Sequence, residues 1–231
     1  MNIRNAVFCG FLLIGCGSGS EDGSGFEVGV NVAPLDIDNV ASQQSAWSGK
    51  HAAQKSTLSR SPTTDDYVHG FSIAERSDDP CSFSALFNDI DDPTNLEGNE
   101  LWNECNGSPG NYLAANMPNS YRTTGVAVCL NSAGDKMKGF ALIGRYPECI
   151  LDPNGTTPTG AACNGAGPRY DAVEERTNCP GSENGIDSDW EDEAECDPGY
   201  IVTGVELNHI ASSGNRRMIT GVRALCHPLL P

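Results

Sequence analysis

Thr203-Gly204-Val205-Glu206-Leu207, a polar turn, and then Ile219-Thr220-Gly221-Val222-Arg223-Ala224-Leu225-Cys226 is the stretch on which the fold turns. Val205 and Leu207 alternate with polar neighbours, which is what a strand with one buried and one wet face requires. Gly214-Asn215 between the two runs is hairpin chemistry, because both residues tolerate positive φ at little cost. The unit is therefore strand, turn, strand.

The same unit occurs upstream. Thr124-Gly125-Val126-Ala127-Val128 and Gly139-Phe140-Ala141-Leu142 flank a turn with Gly134-Asp135, and a fainter copy begins at Tyr67-Val68-His69-Gly70-Phe71. A glycine opening each run predicts a bend or bulge where the backbone enters its sheet. Ahead of the two clearer copies lie a Trp, a Cys and a Pro-Gly: Trp102, Cys105 and Pro109-Gly110 in one, Trp190, Cys196 and Pro198-Gly199 in the other. No segment sustains a helical period, so the expectation is an all-β, repeat-built single domain with long loops.

The last unit, from Cys196-Asp197-Pro198-Gly199-Tyr200 to Cys226, resembles the repeat of the vitelline membrane outer layer protein family. In that repeat Cys-Pro-x-Gly precedes a Gly-Phe strand, and a Gly-Ile-Arg-Leu strand ends at a second Cys. The resemblance implies a β-prism of three sheets about a pseudo-threefold axis, and an extracellular coat protein with glycan interactions. It is good over residues 190–226, fair over 102–142 and poor over 67–88. The repeat spacing is uneven, and a β-sandwich is the alternative architecture. If Cys196 and Cys226 flank one unit, their strands lie adjacent and can be bridged; Cys163 and Cys179 would then close the Pro-rich insertion of residues 150–182. Cys81, Cys105, Cys129 and Cys149 stay unassigned.

Ten cysteines in 231 residues need a compartment. Leu13-Ile14-Gly15-Cys16 looks like a bacterial lipobox: Arg4 gives a positive start, and Ala6 to Ile14 is apolar but too short to span a bilayer. Cys9 would leave with a signal peptide of residues 1–15, Cys16 would carry acyl chains such as palmitate, and eight cysteines remain. In an oxidising compartment an even set reads as disulfides, and no Cys-x-x-Cys spacing supports a zinc site. The bilayer is thus the expected partner at the amino terminus, and Gly17 in place of Asp favours an outer-membrane address. Residues 16–66, opening on a Ser/Gly run, read as a tether, leaving a β domain at 67–231.

The net charge of −17 excludes a nucleic-acid partner by phosphate repulsion. Residues 183–197 hold eight carboxylates without Lys or Arg, so a solvated acidic loop is one reading and a calcium site at Asp187, Asp189 and Glu191 another. Asp89, Asp91 and Glu100 match part of an EF-hand template that Pro93 and Thr94 break. No hydrolase elbow, zinc-protease, phosphate-loop or dinucleotide motif occurs, and the four histidines are dispersed. For binding, the candidates are Trp102, Trp190, Tyr121 and Tyr200, because sugars stack on aromatic faces and hydrogen-bond to nearby acids. A non-enzymatic, membrane-anchored β domain that binds glycan or another envelope component is the leading expectation. An envelope polysaccharide hydrolase and a calcium-dependent adhesive coat protein are the alternatives.

Overall fold

The computed structural model describes residues 34–60, 64–164, 168–175 and 190–231. The chain runs through β1 (Asp36–Ile37), β2 (Gln43–Gln44), β3 (Ser48–Gly49), β4 (Gln54–Ser59), β5 (Asp66–Arg76), β6 (Asp79–Asp89), β7 (Leu96–Asn103) and β8 (Gly110–Asn116). It continues with β9 (Arg122–Leu130), β10 (Met137–Arg145), the short helix α1 (Pro147–Leu151), β11 (Arg169–Glu175), β12 (Ala194–Glu195), β13 (Tyr200–Ala211) and β14 (Arg217–Leu230).

These strands make three sheets, each built on one hairpin of the repeat. The first has the order β7-β6-β5-β8 and the second β11-β10-β9-β12. In both, three strands follow one another and the fourth returns to the far side of the hairpin, a Greek key. The third sheet repeats this order around β13 and β14, but its outer strands come from the amino-terminal end: β1, β2 and β3 pair with β14, and β4 pairs with β13. A third Greek key closed by the two ends of the described chain gives a β-prism, so the all-β prism-like expectation holds.

The repeat glycines are explained by one recurring irregularity. In each hairpin the register skips one residue just before the glycine: His69 before Gly70, Thr124 before Gly125, Thr203 before Gly204. Such a bulge bends the strand and re-aims the skipped side chain. The glycine then lets the fourth strand come close. A Cβ at Gly70 would lie 3.0 Å from Ala115 O, at Gly125 2.9 Å from Glu195 Cα, and at Gly204 2.9 Å from Leu58 O.

The alternating residues of all three hairpins meet in one core. Phe71 and Phe83 of the first sheet, Val126, Phe140 and Leu142 of the second, and Val205, Leu207 and Val222 of the third belong to a single buried cluster. Phe71 stands 4.8 Å from Phe83 and 5.8 Å from Phe140, ring centre to ring centre. Each large side chain buried there contributes about 1.5–3 kcal/mol. A smaller cluster at one end, with Tyr67, Ile90, Ile150, Ile201 and Leu229, seats α1 against the first and third sheets.

At the other end the three hairpin tips are tied together by charge. The Lys138 ammonium, fully buried, lies 3.3 Å from Glu75 Oε1 and 2.5 Å from Asp78 Oδ1. Asp79 accepts from Ser212 and pairs with Lys136 at 2.9 Å and Arg216 at 3.0 Å. Residues from all three sheets therefore share one network.

Two expectations need correcting. The tether was expected to reach residue 66, but β1 to β4, from Asp36 to Ser59, are part of the third sheet. Gln54-Lys55-Ser56-Thr57-Leu58-Ser59 is held by backbone pairing to β13 and buries only Leu58, so it carries no hydrophobic period to read. Cys163 is bonded to Cys149 rather than Cys179, closing the loop that follows α1. Cys81 is bonded to Cys105, and Cys196 to Cys226 as the repeat suggested; Cys129 is also disulfide-bonded. Cys16 and the other residues of the lipobox lie outside the described residues, as do Asp187 and Asp189.

Candidate functional site

The end of the prism away from the hairpin tips opens into a cavity of about 230 Å³. Its walls come from four places in the chain. The bulged Thr124 of β9 and Arg145 at the end of β10 supply one side, and Glu195 of β12 with Asp197, Pro198, Gly199 and Tyr200 the second. Ile150 of α1 and the adjacent Pro153 form an apolar lip. Both Cys149 and Cys196 line it as well, so two disulfides fix its walls. Thr124 is the residue skipped at the bulge, and its hydroxyl donates to Ile143 O at 3.4 Å.

The arginines at the cavity rim are paired with carboxylates. Arg145 Nη2 lies 3.3 Å from Glu195 Oε2, and Arg169 Nη1 3.5 Å from Glu195 Oε1. Arg169 also grips Glu193 through two parallel bonds of 2.6 and 2.8 Å and Asp171 through a third of 2.6 Å. Burial, and then the hydrogen bond with Glu193, push the Glu195 carboxyl up against the pull of both arginines. Its partner moves the other way: the hydrogen bond from Arg169 holds Glu193 below the ordinary carboxylate range. Although burial works against the charge on Arg169, its bonds to Glu193 and Asp171 hold the guanidinium above its usual range.

At the same end of the second sheet stand three tyrosines. Tyr121, just before β9, has its ring centre 4.4 Å from that of Tyr146 at the start of α1 and 5.2 Å from that of Tyr170 on β11. Tyr170 is 40% exposed, and the other two are half-buried. The Tyr121 hydroxyl is pushed up to about 12 by its hydrogen bond with Tyr146, then by burial and the neighbouring phenols. The cluster therefore presents hydroxyls and aromatic faces, with Tyr121 neutral at physiological pH. A second cavity of about 130 Å³ occupies the equivalent place on the third sheet, where the bulged Thr203 lies 2.6 Å from His227 Nδ1 beside the Arg60–Asp66 pair.

Of the aromatic candidates, the structure brings Tyr121 and Tyr200 to this end. The tryptophans lie elsewhere. Trp102 is 7% exposed, on the core side of β7, and stacks on the His209 ring at 5.2 Å. Trp190, 8% exposed, packs on Ala127, Cys129 and Ala141, the side of the second sheet turned away from the core. Glu191 is exposed, and its N–H donates to Val128 O at 3.0 Å. No group of three or more His, Cys, Asp or Glu among the described residues could hold a metal ion.

Sequence reasoning missed Tyr146, Tyr170, Arg145 and Arg169. The signal for Tyr170 and Arg169 was present as the alternation Arg169-Tyr170-Asp171-Ala172-Val173, an outer strand in the middle of the Pro-rich insertion. It also missed Trp47, which stands beside β3 with the Arg223 guanidinium 4.7 Å and the Lys55 ammonium 5.2 Å from its ring centre.

No family model and no curated protein matches this chain. Among solved structures it is similar to a Malaysian banana lectin, at 8% identity and a TM-score of 0.42 over 81% of this chain and 99% of that one. It is similar to the Calystegia sepium agglutinin at 10% identity and a TM-score of 0.39, covering 81% and 97%. A further likeness is to the V. cholerae biofilm matrix protein Bap1, at 12% identity and a TM-score of 0.36, covering 84% of this chain and 26% of that one. With TM-scores below 0.5, the prism is read from the chain's own three sheets and the site from its own residues.

Proposed function

We propose that this chain is an exported, lipid-anchored β-prism that binds glycan without cleaving it, at the cavity between Thr124, Glu195 and Tyr200. The observation that carries the reading is the cavity of about 230 Å³ at the same end of the prism as the Tyr121–Tyr146–Tyr170 cluster. A sugar offers apolar C–H faces and a rim of hydroxyls. Aromatic rings match the first, and the Thr124 hydroxyl and the carboxylates of Glu195 and Asp197 match the second. The size suits a single terminal sugar more than a drug-sized ligand, since pockets for the latter run from about 300 Å³ upward.

Cleavage of a glycosidic bond needs two carboxyl groups about 5–10 Å apart on either side of it. Glu193 and Glu195 are instead both paired with the Arg169 guanidinium. The lipobox sequence supports acylation at Cys16, and disulfides support an oxidising compartment, with the outer membrane favoured by Gly17. The likeness of Cys196–Cys226 to the vitelline membrane outer layer repeat supports placement outside the cell. The binding arm is tested on a glycan array with the wild-type chain and Tyr121→Ala: retention of specific glycans lost in the variant supports it, and equal binding by both overturns the site. Palmitate labelling, abolished by Cys16→Ala, tests the anchor.

A further inference from the structure

The cavity is bordered by more negative charge than its arginines can neutralise, and this bears on which sugar it takes. Arg145 is matched by Glu195, and Arg169 by Glu193, Glu195 and Asp171. Asp197 in the cavity wall, and Glu148 and Asp152 at the two ends of α1, are exposed, and none forms an ion pair with a described residue. Among the described residues no lysine lines the cavity. Over the whole chain 31 acids face 14 bases, so the long-range field has the same sign as the local one. The tyrosine faces beside this end add to it, because a ring quadrupole attracts cations and gives nothing to an anion.

We infer that the bound sugar is cationic: an amino sugar with a free ammonium group, as in a deacetylated hexosamine polymer, in preference to N-acetylated, uronic or sulfated sugars. The inference rests on the glycan reading above. The ammonium would pair with Asp197, the cavity carboxylate that no arginine matches, through a charge-assisted hydrogen bond, while the ring lies against the aromatic and proline surfaces. A uronic or sulfated chain meets like charge both at a distance and in the cavity. An N-acetyl group removes the charge that this surface is built to attract.

The test is calorimetric binding of the full chain in non-ionic detergent to glucosamine hexamers, N-acetylglucosamine hexamers, galacturonate hexamers and poly-lysine. Glucosamine hexamers are expected to bind about tenfold more tightly than the N-acetylated form, a margin that shrinks with added salt. Asp197→Asn combined with Glu195→Gln should abolish that margin, and Tyr121→Ala should weaken both hexosamines. Equal or tighter binding of N-acetylated or uronate hexamers overturns the charge inference and leaves the glycan reading standing. Poly-lysine binding as tightly as the glucosamine hexamer, indifferent to Tyr121→Ala, overturns it in favour of plain ion exchange. Absence of binding to every hexamer overturns both readings.

Discussion

Lys138→Met should destabilise the prism more than any surface substitution, because Lys138 is the buried cation that ties the second hairpin to the tip of the first. Its ammonium is buried, with Glu75 Oε1 at 3.3 Å, Asp78 Oδ1 at 2.5 Å and the Asp78 carbonyl oxygen at 3.1 Å. Glu75 is itself only 3% exposed. Removing the cation takes from a buried carboxylate the charge that offsets its desolvation, which costs about 3–5 kcal/mol. Methionine keeps most of the stem's volume, so cavity formation adds little. In a domain of this size each kcal/mol moves Tm by about 2–4 °C, and the expected drop is about 6–20 °C. The assay is thermal unfolding followed by circular dichroism without reductant. Lys138→Met with Glu75→Gln should recover at least half of the loss, because the buried carboxylate charge is gone. A drop under about 1 kcal/mol, or a double variant no better than the single, would refute the reasoning.

The other predictions concern acid, the disulfides and the repeat glycines. A hydrogen bond from Lys138 holds the Asp78 carboxyl down against burial; burial works to raise Asp79, and bonds from Ser212, Lys136 and Arg216 outweigh it and hold that carboxyl down too. Both acids thus contribute stability that is present above about pH 4 and lost as pH falls through their folded values, since the unfolded chain then binds the extra protons; urea midpoints measured down to pH 2 should fall less steeply in Lys136→Met. Cys196→Ala with Cys226→Ala releases a loop of 30 residues and should cost about 3–4 kcal/mol in urea unfolding while weakening sugar binding, because Cys196 lines the cavity. Gly125→Ala sets a Cβ 2.9 Å from Glu195 Cα and should cost about 1–3 kcal/mol, with loss of sugar affinity as β12 is displaced; Gly134→Ala, at a turn with φ of 65°, should lose stability and keep affinity.

What was legible in the sequence follows from which residues face the core. Each hairpin strand puts Phe, Val, Leu or Ile inward at every second position, so β5, β9, β10, β13 and β14 could be read. The first copy looked faint because Ser82 stands where the others have Gly139 and Gly221, although the register skips a residue there too. The outer strands are the opposite case. β4, β7 and β8 are mostly exposed and bond chiefly through backbone, so Lys55 or Asn99 carries no trace of its pairing. The aromatics were misplaced for a related reason. With few large side chains to fill three inner faces, the fold draws Trp102 inside, and it uses Trp190 to cover the small residues Ala127 and Ala141. Tyr121 and Tyr200 were legible because they stand just before or at the start of a first strand, where the bulge opens the sheet. Their companions Tyr146 and Tyr170 arrive from an insertion whose course no repeat predicts.

The most direct measurement is a crystal structure of the chain with a bound glucosamine oligomer. One sugar ring is expected in the cavity between Thr124, Glu195 and Tyr200, its ammonium toward Asp197. A sugar seated instead on the Trp47 face of the third sheet, with the cavity unchanged, would contradict that placement.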